Sequence, residues 1–157
     1  MPVYEVSGLT TIVTATIGAP LCALRAVTRP VRIWEIHAFY VTAPTTSGEF
    51  GLCRSTALGT GTLTSVTPVA RSTATGIAAA TSLLNTAWAT LAPTNAGAGA
   101  IFRRFAASAT IGNGIIWTFD REPLEVAGSA GATSELILVN AIATAPGTLA
   151  VTFVVEE

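Results

Sequence analysis

Lysine is absent from this chain, histidine and aspartate each occur once, and cysteine occurs twice. Charged residues make up 11% of the sequence, against roughly 25% in typical globular proteins. These shortages exclude much. A Walker-type phosphate loop needs a lysine after its glycines, and Gly59-Thr60-Gly61 has none to follow it. A Ser-His-Asp arrangement would require Asp120 to fold against His37, and nothing in their spacing argues for that. No paired C-x-x-C or H-x-x-x-H spacing offers metal ligands. A net charge of −1 provides no basic field to draw in nucleic acid. Two cysteines are too few for a disulfide scaffold, so Cys22 and Cys53 read as small buried thiols. The uncharged run Leu136 to Val155 is long enough to span a bilayer but is interrupted by Asn140, Thr144, Pro146 and Gly147. It reads as two strands joined by a turn, and no membrane partner is expected. No lysine or arginine precedes Arg25, so the start of the chain lacks the basic region of a signal peptide.

What is present is apolar and β-branched. The 157 residues suit one domain with a real core. Half of them are hydrophobic and the mean hydropathy is +0.60. So little charge on a soluble chain implies that partners cover part of its surface. All eight basic residues are arginine. Coding bias accounts for that choice, and arginine is also the cation favoured at protein interfaces.

Strand signals recur along the chain with turn residues between them. The spacing predicts strands at Leu9–Ile17, Cys22–Thr28, Val31–Thr42, Glu49–Ala57 and Ile115–Phe119. A short strand is predicted at Leu124–Ala127, and closing strands at Glu135–Ile142 and Thr148–Val155, while Ile101–Phe105 carries Arg103-Arg104. Gly112-Asn113-Gly114 is a hairpin-type turn. The stretch Leu63 to Asn85 is ambiguous. Ile77, Ala80, Leu84, Ala87 and Leu91 have helical spacing, but the interleaved threonines favour a loop followed by a strand near Thr86–Leu91. The sum is an all-β chain, an antiparallel β-sandwich and most simply an eight-stranded jelly roll. It forms a single domain over residues 1–157, with residues 1–8 as an extended N-terminal arm.

Val31–Thr42 holds the lone histidine and stands out. A strand period of 2 puts Trp34, Ile36, Ala38 and Tyr40 on one face, expected to be the core face. Ile33, Glu35, His37 and Phe39 fall on the other, a mixed face suited to solvent or a subunit seam. Arg32 flanks this face. Arg103-Arg104 reads as a solvated or internally paired dyad, or as an intersubunit bridge. Trp34, Trp88 and Trp117 read as core or interface aromatics ahead of a sugar-binding platform. The closing strands are apolar on both faces. Because one side of a sandwich is normally wet, the second face points to another subunit, with a homotrimer expected. The interface candidates are therefore Arg32, Glu35, His37, Arg103 and Arg104. No catalytic residue, cofactor or metal is expected.

The strings Val31-Arg32-Ile33-Trp34-Glu35-Ile36-His37-Ala38-Phe39, Ala43-Pro44-Thr45-Thr46, Gly51-Leu52-Cys53-Arg54, Phe102-Arg103-Arg104, Ala109 to Phe119 and Leu138-Val139-Asn140 resemble small jelly-roll structural proteins of tailed bacteriophages. The kind resembled decorates or cements the phage head. The resemblance covers most of residues 30–157, and its motifs are structural. It implies a trimeric virion protein that binds the major capsid protein from outside the capsid lattice, after assembly in the bacterial host cytoplasm. The alternative is a phage tail or fibre component, or a trimeric lectin-like module using an exposed Trp88 or the Pro44–Gly48 loop. An enzyme such as a cupin is not expected, for want of histidines and carboxylates at ligand spacing.

Overall fold

A computed structural model describes residues 1–11, 15–60, 63–72, 76–88, 92–95, 100–128, 131 and 134–157. The elements in chain order are β1 (Val3–Leu9), β2 (Pro20–Arg25), β3 (Val31–Tyr40), β4 (Gly48–Ala57), β5 (Leu63–Val66), β6 (Val69–Ala70), β7 (Leu83–Trp88), β8 (Thr94–Asn95), β9 (Arg103–Ala107), β10 (Gly114–Thr118), β11 (Leu124–Val126), β12 (Glu135–Asn140) and β13 (Leu149–Glu156). They form two antiparallel sheets packed face to face, a β-sandwich. The first sheet runs β10-β3-β13-β1-β6, with β11 following β10 along the same edge of β3. The second runs β5-β7-β2-β12-β4, and β4 carries β9 on its first half and β8 on its second.

The core lies between the sheets. β1 contributes Tyr4 and Val6, β13 contributes Val151, Phe153 and Val155, and β12 contributes Leu136 and Leu138, all buried. This alternation follows from the pleat. Around Phe50, edge-to-face contacts with Tyr40 and Trp117 fill one end, at ring-centroid separations of 5.9 Å each.

Several expectations change. Residues 3–9 are no arm: β1 pairs with β13 over its whole length, because Tyr4 and Val6 alternate inward. The strand expected at Leu9–Ile17 therefore ends at Leu9. Residues 12–14 lie outside the described residues, and Thr16 to Gly18 turn, with Gly18 at φ +83°. The closing strands are not a hairpin, since β12 belongs to the second sheet and β13 to the first. Their link crosses the sandwich and is tied to the end of β3 by Val41 N–H donating to Thr148 O at 2.8 Å. A side chain on Gly147 would overlap Thr42 O, so glycine is needed at that crossing. Gly112-Asn113-Gly114 likewise turns the chain between sheets, from β9 to β10, and makes no hairpin. The ambiguous stretch contains β5, β6 and β7, and the strand expected at 86–91 begins earlier, at Leu83; residues 89–91 lie outside the described residues.

β3 departs from the simple alternation. Val154 of β13 pairs with Glu35 and the next residue, Val155, pairs with Ile33, so Trp34 is the extra residue of a β-bulge. On the opposite edge the pairing likewise passes from Glu35 with β10 to Ile33 with β11. The bulge moves the inward set from Ile36, Ala38 and Tyr40 to Val31 and Ile33, all buried. Trp34, expected in the core, is only half-buried.

Candidate functional site

Three surfaces hold the residues singled out by sequence. The outer face of the first sheet is the broadest. Antiparallel pairing aligns Ile116, His37, Thr152 and Ser7 in one row and Gly114, Phe39, Ala150 and Leu9 in the next. A third row carries Thr118, Glu35, Val154, Glu5 and Val69. Ile116, Leu9 and Val69 are 50%, 53% and 71% exposed. The charges on these rows are locally paired. His37 Nε2 lies 3.0 Å from Glu35 Oε2, and Arg71 Nε lies 3.1 Å from Glu5 Oε1. Glu35 and His37 are thus brought together, as their i, i+2 spacing implies, on a face that no layer of the described chain covers.

The outer face of the second sheet is covered. Ala23, Cys53, Ile137 and Val139 have no exposure, and Trp88 and Ile101 pack over them. Both covering residues belong to the excursion between β4 and β9. The doubly apolar character of β12 is therefore satisfied within the chain, and it gives no argument for a neighbouring subunit. Trp88 is part of this cover and is no exposed ligand platform. The cover is anchored by charge. Glu135, fully buried on β12, accepts Arg25 Nε at 2.7 Å and the Gly59 N–H at 3.4 Å, while Arg25 also donates to Gly59 O at 2.8 Å. A Cβ on Gly59 would overlap the Trp88 ring, so the loop sits directly on that indole. A second anchor is Glu157. Its carboxylate accepts Thr81 N–H at 2.8 Å, Ser82 N–H at 3.1 Å and Ser82 Oγ at 2.9 Å, and also the Thr81 hydroxyl. Burial alone would raise its pKa, but these four donors together hold it below the ordinary glutamate value.

The third surface is an open cleft of about 960 Å³ at the lateral edge of the sandwich. Trp34, re-aimed by the bulge, lines it together with Arg54 and Arg103 from the second sheet and the Thr118–Glu125 segment that joins β10 to β11. Arg54 pairs with Leu136 and so lies on the inner face of its sheet. Its guanidinium donates to Glu125 O, and burial draws its pKa below the ordinary arginine value. Arg32 pairs with Glu125 at 2.9 Å across the cleft rim. Arg32 and Arg103 thus meet in one site that spacing alone does not reveal. Arg104 points away from it and pairs with Glu49 at 3.1 Å. Arg54, Asp120, Arg121 and Glu122 are cleft residues that the sequence analysis missed. The one available signal was an arginine in register with buried β-strand positions.

Cys22 and Cys53 are free and buried on opposite faces of the second sheet, and burial pushes their thiols up to about 12 and about 11. Among the described residues no three His, Cys, Asp or Glu side chains gather where they could hold a metal. No described helix is long and apolar enough to cross a membrane. Compared with protein-family models, curated proteins and solved structures, the chain matches none.

Proposed function

We propose that this chain is a structural virion protein of the capsid-decoration type, and that it uses the outer face of its first sheet to bind copies of itself and the capsid lattice. One observation carries the reading: Ile116, Leu9 and Val69 are at least half exposed on that face, and its Gly114, Phe39, Ala150 and Leu9 row is wholly apolar. Exposed apolar residues gathered on one face and rimmed by polar ones mark association surfaces. A stable interface needs about 800 Å² from each partner, roughly a tenth of this chain's 7194 Å². The paired Glu35 and His37 sit inside the face and would set register at a subunit seam; Arg32 lies in its next row with Glu125 and Glu156, while Arg103 and Arg104 belong to the second sheet.

Topology adds support. The order β1-β13-β3-β10 facing β2-β12-β4-β9 supports a jelly-roll reading, in which two Greek keys interleave. On this reading β5 to β8 are an insertion that widens both sheets. A trimer is the proposed assembly, since repetition around an axis multiplies weak contacts with a lattice by avidity.

Sedimentation of the purified chain tests the assembly, with a mass near three times 16.0 kDa expected. Immunogold labelling of particles from cells that encode the chain tests the location. Label on the head, and loss of heat resistance in particles lacking the protein, support the proposal. A monomer that labels no particle overturns it.

A further inference from the structure

We infer that the cleft beside Trp34 is a saccharide-binding site, a ligand function beyond the structural role proposed above. Three features converge on that chemistry. The first is the bulge. A regular β3 would bury Trp34 beside Ile36, and the extra residue forfeits that burial along with regular ladder pairing. What results is an indole held at the wall of a cleft. A tryptophan so placed offers a broad, rigid apolar surface, the complement of the C–H face of a pyranose ring.

The second feature is the mixture of donors and acceptors. Arg54 and Arg103, from the second sheet, and Arg121, from the β10–β11 connection, can only donate; Asp120 and Glu122, on either side of Arg121, can only accept. A carboxylate or phosphate would satisfy the arginines and be repelled by the carboxylates. A cation would meet the reverse, and a purely apolar ligand would leave both sets without partners. Vicinal hydroxyls both donate and accept, and they satisfy the two sets together. One donor is also held in place, since Glu125 O accepts from the Arg54 guanidinium. The third feature is size: about 960 Å³ is at the upper end of the roughly 300–1,000 Å³ of ligand pockets, room for more than one ring.

The test presents the tagged full-length chain, clustered on streptavidin, to a printed array of neutral and acidic oligosaccharides. The strongest hit is then titrated by tryptophan fluorescence. Saturable binding that persists at high salt is expected. Trp34→Phe should abolish the fluorescence response and weaken binding at least tenfold. Asp120→Asn and Glu122→Gln should each weaken it several-fold, and Trp88→Phe should leave it intact. Denaturation midpoints for each variant separate lost binding from lost folding. An array with no hits overturns the inference, as does binding that survives Trp34→Ala in a folded variant. Binding confined to acidic glycans and inorganic phosphate, lost at high salt and strengthened by Asp120→Asn, overturns it in favour of an anion site.

Discussion

The two sheets of this sandwich both carry apolar side chains on their outer faces, yet those faces have opposite fates. On the second sheet Ala23, Cys53, Ile137 and Val139 are fully buried under Trp88 and Ile101. On the first, Ile116, Leu9 and Val69 are at least half exposed. Composition differs, since the bare face also carries Glu5, Glu35 and His37, but the cover itself is a matter of connectivity. The excursion from β4 to β9 folds across one face and is pinned there by Glu135 and Arg25, with Glu157 holding its later part. Apolar residues on the second face of a strand state that the face will be covered. They do not state whether the cover comes from the same chain.

The sharpest way to break the covered face is to remove its charged anchor. Glu135→Ala leaves Arg25, itself largely buried, without its carboxylate, and a broken buried pair costs about 3–5 kcal/mol. Chemical denaturation should read that loss. Alkylation should then locate it. In the native protein both thiols are shielded and their pKa values lie far above neutrality, so both react slowly. If the excursion lifts off as a unit, Cys53 beneath it becomes reactive before Cys22 in the core. Equal rates would mean that the cover and the sandwich unfold together.

Next in size is truncation beneath the cover. Ile137→Ala removes a fully buried side chain and should cost about 2–5 kcal/mol. The same truncation at Ile116, half exposed on the bare face, should change the stability of the isolated chain by under about 0.5 kcal/mol. A similar cost at both positions would show that the two faces are equivalent in solution, and that the bare face is already covered by association.

The contrast also explains what the sequence could and could not reveal. Strand identity was legible where β-branched and aromatic residues alternate, as in β10, β12 and β13. The two-sheet class followed from their spacing. The pairing was not legible. β12 and β13 look like a hairpin around Pro146-Gly147, and only long-range pairing places them in different sheets. Strand Val3–Leu9 was misplaced because its threonine-rich continuation carries the stronger local signal. Trp34 shows the limit most clearly. A period of 2 assigns it to the core, and one bulged residue, invisible in local composition, sends it to a cleft. Glu35 and His37 were legible as neighbours because they lie two apart on one strand. Arg54 with Arg103 was not, because their meeting depends on strand order.

A smaller effect should appear with pH. The folded pKa of Glu157 is held below its ordinary value by the Thr81 and Ser82 donors. Such a group stabilises the fold fully above its unfolded pKa, about 4.3. That contribution is lost as pH falls through the lower, folded pKa. Wild-type stability should therefore decline as pH falls from mildly acidic values through that lowered folded pKa. Glu157→Gln should be less stable at neutral pH and show a shallower acid decline. Because Glu157 lies just beyond β13 and its donors just ahead of β7, a matching decline in Cys53 protection would assign this clamp to the cover. An unchanged acid profile in Glu157→Gln would remove the clamp from the account.

The smallest effect on the isolated chain, and the one that tests the bare face most directly, is a charge placed at its centre. Ile116→Asp puts a carboxylate in the row formed with His37, Thr152 and Ser7. The site is half exposed in the single chain, so a solvated aspartate there should shift the unfolding midpoint little. If that face meets another copy, however, each copy buries an unpaired charge, which associating surfaces do not tolerate. Sedimentation of Ile116→Asp should then find monomer at concentrations where the parent chain is assembled, with the denaturation midpoint of the dilute parent retained. Arg104→Glu, at a pair with Glu49 away from these rows, provides the control for added negative charge alone. If Ile116→Asp assembles like the parent, the bare face is not the one that copies share, and the cleft edge becomes the remaining surface on which to look for them.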